Sequence, residues 1–121
     1  MRIIVCGGRF YEKRRHIFET LDDLHAEHRI TCVITGGASG ADSLGDRWAK
    51  ENGVDRVVFP ANWTGRGRAA GPVRNQLMLD IGKPDMVVAF PGGTGTADMV
   101  RRARCLAEGV KVLEVKQEQE A

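Results

Sequence analysis

Apolar residues along this chain fall into two alternating patterns. Short, nearly continuous runs rich in Val and Ile come first: Arg2–Cys6 (RIIVC), Ile30–Thr35 (ITCVIT), Arg56–Phe59 (RVVF), Asp85–Phe90 (DMVVAF) and Lys111–Val115 (KVLEV). Their length and β-branched content predict buried strands. Between them, apolar positions recur every three or four residues. Ile17, Leu21 and Leu24, with Phe18 and His25, predict a helix over His16–His28, and Leu44 and Trp48 predict another over Ala41–Asn52, ended by Gly53. Pro72–Ile81 reads as a third helix, with proline in its first turn and Gly82 at its end. Thr96–Glu108, closed by Gly109, reads as a fourth.

Strict β-α alternation with apolar strands predicts a parallel sheet covered on both faces. The expected fold is a Rossmann-like three-layer α/β/α sandwich whose five parallel strands run in the order 3-2-1-4-5. It occupies residues 1–115 as one domain, and the polar residues Lys116–Ala121 form a frayed tail. The segment Pro60–Gly71 is long for a connection in such a unit, which marks it as a functional or mobile loop.

Composition narrows the class. The formal net charge is +2, from 18 basic and 16 acidic residues. That balance argues against a partner as charged as nucleic acid, whose backbone needs many cations on one face. The N-terminus enters its first apolar run without a signal-peptide layout, and no run approaches the ~20 apolar residues of a membrane span. A cytoplasmic protein with no membrane association is expected. The three cysteines, Cys6, Cys32 and Cys105, are far apart with apolar neighbours and read as buried thiols in a reducing compartment. No cysteine or histidine spacing suits a metal, so no metal and no cofactor are expected.

Glycine is the outlier: 15 of 121 residues, against roughly 7% in average proteins. Three Gly-Gly pairs, Gly7-Gly8, Gly36-Gly37 and Gly92-Gly93, each follow a predicted strand. In the order 3-2-1-4-5 the first, second and fourth strands are neighbours, so all three pairs line one crevice at the carboxyl edge of the sheet. Glycine lets backbone approach a ligand closely, and the amides at a helix start favour an anion. The candidate binding set is therefore Gly7, Gly8 and Arg9; Gly36, Gly37, Ala38, Ser39, Gly40 and Asp42; and Pro91, Gly92, Gly93, Thr94, Gly95 and Thr96. Ser39, Thr94 and Thr96 add hydroxyls, and Asp42 can accept from ribose hydroxyls or cap the second helix. Gly45, inside that helix, suits close packing on the sheet.

Two common nucleotide motifs are missing. No glycine precedes the Lys-[Ser/Thr] of a Walker A loop, and the run from Gly93 has Asp98 where a dinucleotide fingerprint needs its third glycine. Among the basic residues, Arg74 falls in the first turn of the third helix, where a guanidinium can grip phosphate bidentately. Arg66 and Arg68 lie in the long loop, while Arg101, Arg102 and Arg104 read as a solvent-facing stripe. His16, His25 and His28 read as surface or interface residues, Trp48 as core, and Trp63 as a loop residue that packs as a lid or stacks on a base.

Three of these segments carry a resemblance. Pro91-Gly92-Gly93-Thr94-Gly95-Thr96 resembles the P-G-G-x-G-T motif of the Lonely Guy phosphoribohydrolases. Gly36–Asp42 (GGASGAD) is similar to the glycine loop of the DNA-processing protein A family, and Arg74-Asn75 resembles basic segments of both. With the three motifs in this order, residues 1–115 are identified as a member of the SLOG superfamily, in its YspA or cpYpsA-related branch. The resemblance implies a nucleotide-like ligand: a nucleoside monophosphate, ADP-ribose or a related NAD product. It assigns the anion-binding loop to Gly92–Thr96 and the family arginine to Arg74, with Asn75 beside it. By analogy with Lonely Guy proteins, a homodimer is an expected assembly.

One position departs. Lonely Guy enzymes continue with a glutamate that acts at the N-glycosidic bond, and Met99 stands there. A thioether can neither take a proton nor stabilise an oxocarbenium ion. The leading expectation is a sensor or binding domain. The alternative is a nucleoside 5′-monophosphate hydrolase using Asp98 or Asp42 as its carboxylate, and a DNA-associated module ranks third.

Overall fold

Alternate residues of the first strand face opposite ways, and that period of two organises the protein. A computed structural model of the chain describes residues 1–62, 65, 67–106 and 110–116. The strands are β1 (Arg2–Cys6), β2 (Cys32–Thr35), β3 (Asp55–Val58), β4 (Met86–Ala89) and β5 (Lys111–Glu114). All pair in parallel, in the order β3-β2-β1-β4-β5. The register sets Ile4 between Ile34 and Val87 at the centre. The fold is the expected α/β Rossmann-like sandwich.

Among the described residues four helices cover the sheet: α1 (Arg14–His28), α2 (Ala41–Glu51), α3 (Ala70–Asp80) and α4 (Thr94–Arg104). Ile3, Val5, Val33 and Val88 form one core with Ile17, Leu21 and Leu24 of α1 and Trp48 of α2. Ile4, Cys6, Ile34, Val87 and Ala89 form the other with Met78 and Leu79 of α3 and Met99, Val100 and Ala103 of α4. The central strands are buried on both faces, which explains their continuous apolar sequence. Gly45 sits in α2 where a Cβ would strike the Val5 side chain, so its absence lets helix and sheet meet closely.

Several boundaries and roles differ from the sequence expectations. Helix α4 begins at Thr94 rather than Thr96, because Gly93 takes the N-cap position, and it ends at Arg104. Helix α3 begins at Ala70 after a 3-10 turn at Gly67–Ala69, so Pro72 sits in its first turn, where a missing N–H costs no helical bond. The left-handed residue after α3 is Lys83, not Gly82. Cys6 and Cys32 are buried but Cys105 is exposed. Among the histidines only His28 is surface-exposed. His16 Nδ1 is hydrogen-bonded to the Tyr11 hydroxyl at 2.7 Å, and His25 Nδ1 accepts from the Ile30 amide while its ring meets Trp48 edge-on. Trp48 is fully buried, and its indole N–H donates to Asp22 at 2.8 Å. Trp63, Arg66, Glu108, Gly109 and most of the polar tail lie outside the described residues.

Candidate functional site

The topological switch lies between β1 and β4, where the chain has turned from building one half of the sheet to building the other. Loops that leave the carboxyl ends of β1, β2 and β4 part there and leave a crevice. Its volume is about 630 Å³, within the range of ~300–1,000 Å³ typical of small-molecule sites. Gly7, Gly8 and Arg9 line it from the β1 loop, Gly36, Ala38 and Asp42 from the β2 loop and α2, Arg74 and Asn75 from α3, and Pro91–Thr96 from the β4 loop and α4. A smaller cavity of about 340 Å³ adjoins it, lined by Gly37, Ser39, Pro60 and Ala61 together with Arg9, Gly36, Ala38 and Arg74.

Glycine is required by space in these loops. A Cβ on Gly92 would run into the Thr96 hydroxyl and the Gly8 amide, and one on Gly7 would strike Ala41 and Phe90. Gly40 lines neither cavity. It caps α2 at φ 75°, a conformation that favours glycine, and brings the β2 loop against the Gly8 carbonyl and the Arg9 backbone.

The first turn of α4 lines one side of the crevice. Ala97 makes the first intrahelical bond, to the Gly93 carbonyl. The Thr94, Gly95 and Thr96 amides therefore lie ahead of the helical ladder, and no described hydrogen bond engages them. No acidic side chain sits in this turn, and Gly93 provides no side-chain cap. The helix dipole thus presents unpaired donors and partial positive charge to whatever enters.

Arg74 also lines the crevice. Its Nη1 donates to the Gly36 carbonyl at 2.7 Å and its Nε to Asn75 Oδ1 at 3.2 Å, and no described hydrogen bond uses Nη2. The guanidinium lies directly over the Cα of Gly36, in space a Cβ would occupy. Asp42 Oδ2 accepts from the Gly36 and Ala38 amides at 3.0 and 3.3 Å and so shapes the β2 loop. Burial pushes its carboxyl above the usual range, opposed by those two bonds and by the charge of Arg74. Burial likewise holds the Cys6 thiol far up, helped by Asp42 and countered by Arg74, so this wall residue is a neutral thiol.

Asp98 does not line the crevice. Its side chain points into a network between α3 and α4, where Oδ2 accepts from Asn75 Nδ2 at 3.0 Å and Arg102 Nε at 2.9 Å, and Oδ1 from Arg101 Nη2 at 2.6 Å. Burial raises its carboxyl, but the Asn75 bond, the Arg102 bond and charge and the Arg101 charge outweigh that and hold it below the usual range. Of the arginine stripe expected to face solvent, Arg101 and Arg104 are exposed and Arg102 is half-buried, and all three are paired: Arg101 and Arg102 with Asp98, and Arg104 with Glu114 at 2.7 Å. Met99 is buried in the core under α4, away from the crevice.

Cys6, Phe10, Tyr11 and Met78 on the main crevice, and Pro60 and Ala61 on the small one, fall outside the set expected from the sequence. Two signals were present. Phe10-Tyr11 follows Gly7-Gly8-Arg9 without a break, and Met78 lies one helical turn beyond Arg74.

Residues 1–65 match the profile of the YspA, cpYpsA-related SLOG family. The chain belongs to this family. Over 111 residues the SLOG chain is 35% identical to the gene 61 protein of Mycobacterium phage D29, an alignment that covers 85% of this chain and 88% of the phage protein. The X-ray structure of TM1055, a structural-genomics target, matches its fold with a TM-score of 0.62 at 17% identity, covering 93% of this chain and 90% of that one. No helix among the described residues is long and apolar enough to cross a membrane.

Proposed function

We propose that this SLOG protein binds a nucleotide or nucleotide-derived molecule in the β1/β2/β4 crevice and acts as a binding or sensor domain. The observation that carries the reading is that the unpaired first-turn amides of α4 and the fixed Arg74 guanidinium line the same crevice. A phosphate between them receives backbone N–H bonds and a charge-assisted bond from Arg74 Nη2. The ligand classes that suit it are a nucleoside monophosphate, ADP-ribose and related NAD products.

Thermal unfolding with AMP, ADP-ribose and NAD tests this. A ligand at a hundredfold excess over its Kd stabilises by about 2.7 kcal/mol, a shift of roughly 10 °C for a domain of this size. Arg74→Ala is expected to abolish the shift. Failure of every nucleotide to stabilise the wild type would remove the proposal.

Cleavage of the base–ribose bond is the second reading, favoured by one observation: Asp42 lines the crevice with its carboxyl pushed up by burial, the direction a general acid needs. Prolonged incubation with AMP and a search for free adenine separates the two. Intact AMP leaves the binding role.

A further inference from the structure

Resting on the nucleotide reading, we infer that Phe10 is a base-stacking platform at the mouth of the crevice, so that the site selects ligands carrying an aromatic base over plain sugar phosphates. Four large apolar side chains are exposed among the described residues: Phe10, Val58, Leu77 and Ile81. Phe10 is the one aromatic member, the most exposed at 86%, and the one of the four that lines the main crevice.

Its backbone is held in place. Phe10 follows Arg9 in a tight turn closed by the Tyr11 amide donating to the Gly8 carbonyl at 3.1 Å. The same carbonyl accepts from the Ala41 amide, the Gly8 amide donates to Pro91, and the Ser39 hydroxyl donates to the Arg9 carbonyl. The turn is thus tied to both other loops of the crevice. The next residue shows the contrast. Tyr11 turns inward, its ring 5.8 Å from that of Phe90 and its hydroxyl bonded to His16. One aromatic residue anchors the turn, and its neighbour is left presenting a ring to solvent beside a cavity lined by the first-turn amides of α4.

A ring on a prefixed backbone loses little freedom when a base settles on it, and every nucleobase offers a π-face. With phosphate at the first turn of α4, a base extending toward the mouth meets Phe10.

The test compares AMP with ribose 5-phosphate by calorimetry on the wild type, Phe10→Ala and Phe10→Trp. Removing an exposed side chain leaves folding intact. Phe10→Ala is expected to weaken AMP roughly 5- to 50-fold, within the range of base–aromatic stacking, and to leave ribose 5-phosphate within about twofold. Phe10→Trp should retain AMP binding, with indole fluorescence quenched by AMP and not by ribose 5-phosphate. Equal losses for both ligands, or no loss for AMP, overturn the stacking role while the phosphate site stands. A wild type that binds neither ligand overturns the nucleotide reading and this inference with it.

Discussion

The side-chain amide of Asn75 joins two helices: it donates to Asp98 Oδ2 at 3.0 Å and to the Gly95 carbonyl at 3.2 Å. Asn75 also accepts from Arg74 Nε. The carboxylate of Asp98 thereby orients the crevice arginine through one intermediary, without facing the crevice itself.

Asp98→Asn removes the charge that Arg101 and Arg102 clamp and is expected to lower stability by about 1–2 kcal/mol. Because the folded-state value of Asp98 is depressed, its contribution is present above the ordinary carboxylate value and is lost as pH falls through the lower, folded one. Denaturant melts of both proteins should show the largest gap near neutrality and a closing gap below about pH 4. A gap that widens on acidification would contradict this placement of charges.

Asp42 has the opposite sign. Its folded-state value is raised, so its contribution is complete below the unfolded value and is lost as pH rises through the folded one. Asp42→Asn keeps an oxygen for the Gly36 and Ala38 amides and sheds the buried charge, so the wild type should gain on this variant as pH drops from 7 to 4. Asp42→Ala leaves both amides without an acceptor and should cost about 1–3 kcal/mol, with the larger cost at the lower pH.

Gly36→Ala tests the arginine wall without touching the arginine. The new methyl group occupies the place of the Arg74 guanidinium and displaces it. Ligand stabilisation should fall as it does for Arg74→Ala, and the double variant should be no worse than either single one. Additive losses would show that the two residues act separately.

Met99→Glu puts back the carboxylate that Lonely Guy enzymes carry at this position, but it puts it in a core of Val87, Met78 and Ala103. The expected result is a loss of several kcal/mol in stability, from burying an unpaired charge, and no free adenine from AMP. Release of adenine by this variant would show that the helix can rotate the residue into the crevice.

Strand order and the position of the crevice were legible in the sequence, because runs such as RIIVC and CVIT carry their burial in their composition and the glycine pairs mark the strand ends. The roles of Asp98, Arg101 and Arg102 were not. Their spacing of three and four residues equally describes a solvated face, and only the approach of α3, bringing Asn75 to Asp98 and Gln76 to Arg102, draws those two side chains into a network. Phe10 is hidden in the sequence for a related reason. A lone aromatic beside glycines reads as a turn residue until its neighbour Tyr11 is seen to take the inward position.

The borders of the sheet bear on how this protein meets others of its kind. Both outer strands, β3 and β5, are four residues long and carry exposed charge: Asp55 and Arg56 on one, Lys111 and Glu114 on the other. Arg56 is fastened to Asp46 on α2 and Glu114 to Arg104 on α4, so charged side chains stay beside each margin. Short, charged margins discourage a neighbouring chain from adding its own strand. Edge-to-edge extension of the sheet from copy to copy is therefore disfavoured, and crowding this protein should not draw it into fibres.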